Sequence, residues 1–196
     1  DRYREDLIMR VYSEDGVLKT RSTVREGLNF SASAHYGEID FAHRGLDIYL
    51  LSGFEEFLDP VAFELAKVTA PGRVEWRRQL PTTVGRDDKG RRRLCAAGVT
   101  VLADGSALVA CPSSGQIALI QVLADNSALK TSTVPAPRCH HPNGPVSVAT
   151  AEGRLNLLGV PSASLARDGL AGRDCTWFGE VVNSKGQLAS GRWTSF

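Results

Sequence analysis

The sequence predicts an all-β protein built from recurring four-stranded units. Short apolar runs rich in Val, Leu, Ile and Thr alternate with turn residues along nearly the whole chain. The 19 glycines and nine prolines are distributed among those turns, as expected where many short strands must reverse direction. Hairpins of similar pattern recur at near-even spacing, which indicates internal repetition rather than a chance series of strands.

The clearest unit lies at residues 98–134, GVTVLADGSALVACPSSGQIALIQVLADNSALKTSTV. It predicts two successive hairpins, the first turning at Asp104 and Gly105 and the second at Asp125 to Ser127. We expect the Asp-Gly pair to form a type I′ turn, in which both central residues need a positive φ. The last strand of the unit carries Thr and Ser and alternates weakly, which favours one solvated face.

Related hairpins occur before and after this unit. The turn positions Gly16, Gly72, Ser127 and Gly186 follow one another at intervals of 55 to 59 residues. Residues 41–53 and 146–159 resemble the first hairpin of the unit. Near-even spacing of four-stranded units predicts the blades of a β-propeller. We expect one propeller-like domain over residues 1–196, with about four blades, and a β-sandwich or barrel of hairpins is the alternative.

The first blade is predicted to be incomplete at the N-terminus. Residues 1–23 show an outer hairpin without the inner hairpin that precedes it in the other units. Three explanations stay open: residues before Asp1 were removed, another chain supplies the missing strands, or residues 25–41 contain strands that the pattern conceals. An open blade edge is a site where a further strand can add.

Two segments carry mixed signals. Residues 30–36 alternate and are compatible with an inner strand. Residues 54–68 place apolar side chains at helical spacing, with Asp59 and Pro60 as a cap and first helical residue. The position in the repeat favours a strand over residues 61–68, preceded by a loop or one helical turn.

Composition excludes several classes of function. Hydrophobic residues make up 42% and charged residues 23% of the chain, proportions of an ordinary globular protein. The net charge of +1 provides no general attraction to nucleic acid or to a membrane surface. No apolar run approaches the roughly 18 residues of a membrane span. No leader is recognised, and Asp1 suggests a mature or trimmed form.

Four cysteines occur without a Cys-x-x-Cys pair, so the sequence does not predict a zinc site of usual spacing. They are either buried thiols or two disulfides, for which three pairings exist. The even number favours an oxidising location, and we expect a periplasmic or secreted protein. The four are Cys95, Cys111, Cys139 and Cys175.

Three long loops, at residues 80–93, 134–145 and 161–173, are the candidate contact surface. The first is basic, the second contains adjacent histidines between prolines, and the third lacks the elbow motif of a serine nucleophile. Solvated connections without a role are the alternative interpretation. No metal and no cofactor is predicted, because adjacent histidines on an extended segment point in opposite directions. The predicted binding residues are Arg86, Asp87, Lys89, Arg91, Arg92, Arg93, His140, His141 and Asn143.

The hairpin units between Asp6 and Trp193 resemble the blades of bacterial β-propellers, through turn spacing and strand pattern rather than a diagnostic motif. Enzymes of that architecture place catalytic carboxylates or metal ligands at the mouths of the inner strands. The resemblance implies Asp40, Asp47 and Asn156 at such positions, a small set for catalysis.

The leading functional hypothesis is a non-catalytic protein-binding module that presents long loops on a rigid scaffold, for example an exported inhibitor or immunity protein that occludes a partner enzyme. A propeller-type hydrolase or lyase with a metal held by His and Asp is the second hypothesis. A structural fragment of a larger propeller is the third. The expected partner is another protein, bound through the loops or the open first blade, with no nucleic acid and no membrane span.

Overall fold

The computed structural model describes residues 2–31, 38–53, 55–56, 59–60, 63–69, 72–81, 85–86, 92–93, 97–113, 116–137, 146–151, 154–159, 176–184 and 187–195. Every regular element in these residues is a β-strand, so the predicted all-β class is confirmed. The strands form antiparallel sheets in which strands pair in chain order, with one short strand pair inserted within the second sheet.

The first sheet has two strands, β1 (Arg2–Tyr12) and β2 (Leu18–Ser31). The second has the order β3-β4-β7-β8, formed by β3 (Glu38–Arg44), β4 (Asp47–Gly53), β7 (Glu64–Thr69) and β8 (Arg73–Gln79). Between β4 and β7, the short strands β5 (Glu55–Glu56) and β6 (Asp59–Pro60) pair with each other.

The third and fourth sheets are four-stranded meanders. After the short pair β9 (Gly85–Arg86) and β10 (Arg92–Arg93), the third consists of β11 (Gly98–Val101), β12 (Ala107–Ser113), β13 (Gln116–Val122) and β14 (Leu129–Pro135). The fourth consists of β15 (Val146–Ala151), β16 (Arg154–Gly159), β17 (Trp177–Ser184) and β18 (Gln187–Ser195).

The hairpin turns use one left-handed residue rather than the two that were expected. Gly16, Gly105 and Asn126 have φ values of 81°, 82° and 58°. In each turn the N–H of this residue donates to the carbonyl three residues earlier. This is a type I turn followed by a left-handed residue, so the expected type I′ turn at Asp104 is wrong. The Asp104 carboxylate instead accepts the Ser106 N–H at 2.9 Å, which stabilises the turn.

The third sheet is buried on both faces. One face packs against the second sheet in a cluster that includes Leu51, Phe63 and Val109. The other face packs against the fourth sheet in a cluster that includes Leu119 and Leu157. This explains why β12 and β13 are apolar at nearly every position instead of alternating.

The first sheet packs on the second sheet at its outer strand. β2 contacts β8, and an Arg77 guanidinium N–H donates to the Val24 carbonyl. Gly72 lies directly against Ser22 and Met9, where a Cβ would meet the Ser22 hydroxyl at 2.5 Å. Within the described residues the first sheet has two strands, as the sequence predicted, and it packs on the outer part of the second sheet.

Two of the ambiguous segments resolve in favour of strands. β2 continues to Ser31, so Phe30 and Ser31 belong to the first hairpin rather than to an inner strand. Residues 32–37 lie outside the described residues. The loop or helical turn expected before residue 61 is replaced by the β5–β6 pair, and the strand expected over residues 61–68 is observed as Glu64–Thr69.

Candidate functional site

Asp40, the first candidate for catalysis, connects two sheets. Its Oδ2 accepts the N–H of Val99 at 2.8 Å, and its Oδ1 accepts the N–H of Phe41 at 2.9 Å. Because Val99 lies on β11 and Asp40 on β3, the carboxylate ties the first strand of the third sheet to the first strand of the second. Both oxygens therefore have structural partners.

Asp47, the second candidate, belongs to a charge cluster on the second sheet. Lys67 Nζ lies 3.2 Å from Asp47 Oδ2 and 2.9 Å from Glu75 Oε2. The hydrogen bond to Glu75 raises the pKa of Lys67, and the hydrogen bond to Asp47 adds to this shift against the opposing effect of burial. Each carboxylate thus balances a largely buried ammonium group.

The three candidates do not converge on one site. Asp40 pairs with Leu51 across the hairpin, four residues from Asp47 along β4, which separates the two backbone positions by about 13 Å along the strand. Asn156 lies on β16 of the fourth sheet, opposite Glu180 on β17. Asn156 shares the face of Leu158, which points away from the third sheet.

A buried aromatic contact next to the Lys67 cluster was not anticipated from the sequence. Tyr49 donates its hydroxyl to the Gly105 carbonyl at 2.9 Å, and its ring meets Trp76 edge to face at a centroid distance of 6.1 Å. Burial raises the pKa of the Tyr49 hydroxyl. The one available signal was Lys67 itself, a charged residue within an otherwise apolar strand.

The predicted loop residues are only partly placed. Arg86 and Arg92 are opposite each other in the β9–β10 pair, and Arg93 is opposite Gly85. The basic loop therefore includes a short hairpin, which places three of the predicted arginines on paired strands. Outside the described residues lie Asp87, Lys89, Arg91, His140, His141 and Asn143.

The first exposed apolar surface is on the second sheet, on the side away from the third sheet. Phe41 is 65% exposed, His43 beside it is exposed, and Ile48 and Leu50 are half-buried. Strand register places these four side chains on the same face of β3 and β4. We call this surface the open half-face.

The second exposed apolar surface is on the outer side of the fourth sheet. Leu158 and Phe178 are directly opposite across β16 and β17, and they are 40% and 45% exposed. We call this pair the end face. Large exposed apolar side chains on a sheet face are typical of surfaces that another molecule covers.

No family model, curated protein or solved structure matches the chain. Among the described residues, no three His, Cys, Asp or Glu side chains lie together as a metal site would require. None of the segments that the structure describes forms a helix with the length and apolar character needed to cross a membrane.

Proposed function

We propose that the four sheets are blades of an incomplete propeller-like scaffold and that the chain is a non-catalytic protein-binding module. The order of contacts supports a radial arrangement. The first strands of successive sheets are adjacent, since β11 contacts both β3 and β15. The last strands are adjacent in two of the three neighbouring pairs of sheets, since β2 contacts β8 and β14 contacts β18. The third and fourth sheets therefore meet at both their first and their last strands, as neighbouring wedges do.

One contrast carries the binding hypothesis. The two carboxylates at the positions implied for catalysis are occupied, Asp40 by backbone N–H groups and Asp47 by Lys67. Exposed aromatic side chains, by comparison, stand on the open half-face and the end face. Carboxylates that hold the fold together are not available for catalysis, and exposed apolar surfaces are suited to contact with another protein. Both observations favour a binding function over an enzymatic one.

The concrete form that we propose is an exported inhibitor or immunity protein. Cys111 is disulfide-bonded and almost fully buried, which supports a periplasmic or secreted location. A disulfide-stabilised scaffold with a basic loop can hold that loop in an enzyme's active site at low entropic cost. Arg86, Arg92 and Arg93 are the loop residues on which this form of the proposal depends.

The test is co-purification of a stoichiometric partner, with a variant that removes the loop charges. Wild-type chain, tagged at one end and kept oxidised, is incubated with the periplasmic and secreted proteins of the source organism. We expect one protein to elute with it in equal ratio and to lose its own activity when bound. The variant Arg86→Ala, Arg92→Ala, Arg93→Ala should bind at least about tenfold more weakly.

A measurement of bound metal separates this function from the hydrolase or lyase alternative. A stoichiometric divalent ion in the purified chain, accompanied by hydrolysis without any partner, would contradict the non-catalytic proposal. Equal binding by the wild-type chain and the triple variant would show that the basic loop is not part of the interface.

A further inference from the structure

Two short hairpins leave the second sheet at the same end. We call β5–β6, which lies between β4 and β7, the acidic hairpin, and β9–β10, which follows β8, the basic hairpin. At this end of the sheet, Ser52 pairs with Glu64 and Glu64 pairs with Gln79, so the strands that carry the two hairpins end in one row. The N–H of Leu80 donates to the Phe63 carbonyl at 2.8 Å, which joins the bases of the two hairpins.

The points of attachment are buried and lie in one apolar cluster. Phe63 and Leu80 are 1% and 3% exposed, and Ala97 packs against the same cluster. A chain spans at most about 3.6 Å per residue, which keeps Pro60 within about 11 Å of Phe63 and Arg93 within about 14 Å of Ala97. Each hairpin is therefore held at a high effective concentration near the other.

The two hairpins carry opposite charges. Three of the four strand residues are acidic in β5 and β6, and three of four are arginines in β9 and β10. The acidic residues are Glu55, Glu56 and Asp59, and the arginines are Arg86, Arg92 and Arg93.

Each hairpin also places like charges directly opposite each other. Glu56 is opposite Asp59 in the acidic hairpin, and Arg92 is opposite Arg86 in the basic hairpin. Like charges at directly opposite positions destabilise a strand pair. Each hairpin therefore needs opposite charge nearby to offset the repulsion between its own strands.

The other hairpin provides that charge. Cα atoms of β6, which carries Asp59, come within 8 Å of Cα atoms of β10, which carries Arg92 and Arg93. The two hairpins share no strand ladder within the described residues, so backbone hydrogen bonds do not explain their contact. The separation is no larger than the Debye length of about 8 Å at physiological salt, so the attraction is only partly screened.

We propose that the acidic hairpin is an intramolecular cover for the arginines of the basic hairpin, and that the protein partner displaces it with an acidic segment of its own. This inference rests on the proposed protein-binding function, and it adds the chemistry of the partner and a step that limits binding. The chain's own acidic hairpin indicates that chemistry, because it already lies beside β10 with complementary charge. A partner must compete with a tethered cover, so removal of the cover's charge should increase affinity.

The first experiment measures the cover without any partner. Trypsin cleaves after an arginine only when it can take that side chain into its own acidic pocket. Cleavage after Arg92 and Arg93 is followed by mass spectrometry in the oxidised wild-type chain and in the variant Glu56→Gln, Asp59→Asn. We expect cleavage at least about fivefold faster in the variant, the change expected from loss of exposed ion pairs. Added salt should accelerate cleavage of the wild type more than that of the variant.

The matched control is Glu14→Gln, Asp15→Asn, which removes the same two charges from the exposed turn between β1 and β2. It should change the rate of cleavage after Arg92 and Arg93 by less than about 1.5-fold, since the turn belongs to a different sheet. Thermal melting of all three proteins verifies that each is folded.

The second experiment uses an acidic peptide as the probe. A labelled peptide of residues 54–60, FEEFLDP, is titrated against the full oxidised chain. The Glu56→Gln, Asp59→Asn variant should bind it at least about fivefold more tightly than the wild type does, because the peptide no longer competes with a charged cover. Addition of Arg92→Gln and Arg93→Gln to this variant should abolish the gain.

Equal cleavage rates in the wild type and the cover variant, or equal acceleration by the cover variant and the control, would overturn the proposal. Equal affinity of the peptide for the wild type and the cover variant would overturn it as well. A natural partner that needs the arginines but binds the cover variant no more tightly than the wild type would also contradict the cover, while the protein-binding function remains. Failure to recover any partner removes that function, and the cleavage rates then decide the cover alone.

Discussion

At the scale of single residues, the absence of a side chain decides how closely two sheets approach. Gly98 on β11 lies against the backbone of β15. A Cβ at this position would be 2.8 Å from the Val146 carbonyl oxygen and 3.0 Å from the Val148 nitrogen. Both contacts are with backbone atoms, which cannot rotate away as a flexible side chain does. The third and fourth sheets must therefore separate if residue 98 carries a side chain.

We expect Gly98→Ala to destabilise the protein by about 2–3 kcal/mol, within the range for overpacking in a close-packed interior. The measurement is the free energy of unfolding in urea. Gly45→Ala is the control, because Gly45 has a φ of 59° and nothing within 4 Å of its added Cβ. Gly45→Ala should lower the free energy of unfolding by only about 1 kcal/mol, because the added Cβ strains the left-handed backbone conformation. A Gly98→Ala cost no larger than that of the control would show that the two sheets can move apart freely.

Sequence patterns located the residues that act locally, and missed those that act between sheets. The turn glycines Gly16 and Gly105 were predicted because their neighbours alone define a turn. Gly98 and Asp40 could not be assigned, since their contacts are with residues about 50 to 60 positions away in the chain. Asp40 was interpreted as a possible catalytic group for the same reason, as nothing local indicates its bond to Val99.

At the scale of the element, the second sheet is held by charges on three adjacent strands. Asp47 on β4 and Glu75 on β8 both bind Lys67 on β7, whose side chain is 13% exposed while each carboxylate is 39% exposed. A raised pKa in the folded state means that the folded protein binds this proton more tightly than the unfolded chain. The resulting stability is present below the unfolded pKa of about 10.4 and is lost as the pH rises through the folded value.

We therefore expect the free energy of unfolding of the wild type to fall as the pH rises above about 10, and Lys67→Met to reduce that fall. Urea unfolding at a series of pH values is the measurement. Lys130→Met, at an exposed lysine on β14, is the control and should leave the wild-type pH dependence unchanged. Part of the fall should remain in Lys67→Met, because burial also raises the pKa of Tyr49. Identical pH profiles for wild type and Lys67→Met would contradict the role of the cluster.

The limits of most strands were predictable because alternation and turn residues are local signals. The two turns predicted within residues 98–134 lie where they were expected, between β11 and β12 and between β13 and β14. The segment before β7 was less predictable, since its apolar spacing fits a helix and a strand equally well. Its pairing as β5 and β6 depends on backbone partners rather than on side-chain pattern. β2 extends eight residues beyond the expected end of the first hairpin at residue 23 for the same reason, as β1 provides partners up to Arg2.

At the scale of the whole molecule, the four sheets follow one another in chain order and each packs mainly on the next. Within the described residues, the three four-stranded sheets and the two-stranded first sheet were predictable from the repeat, whereas the short pairs β5–β6 and β9–β10 were not. Which face of each strand meets which neighbour was not, because a strand's buried face depends on the sheet that covers it. The continuous apolar runs of β12 and β13 were the one sequence signal that the third sheet lies between two others.

A molecule arranged in this series should open from its ends rather than unfold uniformly. Leu157 on β16 is fully buried between the third and fourth sheets, and Leu65 on β7 is fully buried between the second and third. Truncation of either to alanine should cost about 2–5 kcal/mol in local stability. The two clusters contain different residues, so each truncation acts first on its own interface. We expect Leu157→Ala to accelerate amide exchange in β15 to β18 while the second sheet keeps its protection.

Leu65→Ala is the reciprocal variant and should accelerate exchange in β3, β4, β7 and β8 while the fourth sheet stays protected. Hydrogen exchange under native conditions, resolved by residue, measures both. The third sheet should respond to both variants, because it contributes one face to each cluster. If both variants accelerate exchange equally in every sheet, the molecule unfolds as one cooperative unit. The interfaces on the two sides of the third sheet are then not separable. Cooperative unfolding of all the sheets would require contacts that connect the two faces of the third sheet. Leu65 packs on one of these faces and Leu157 on the other.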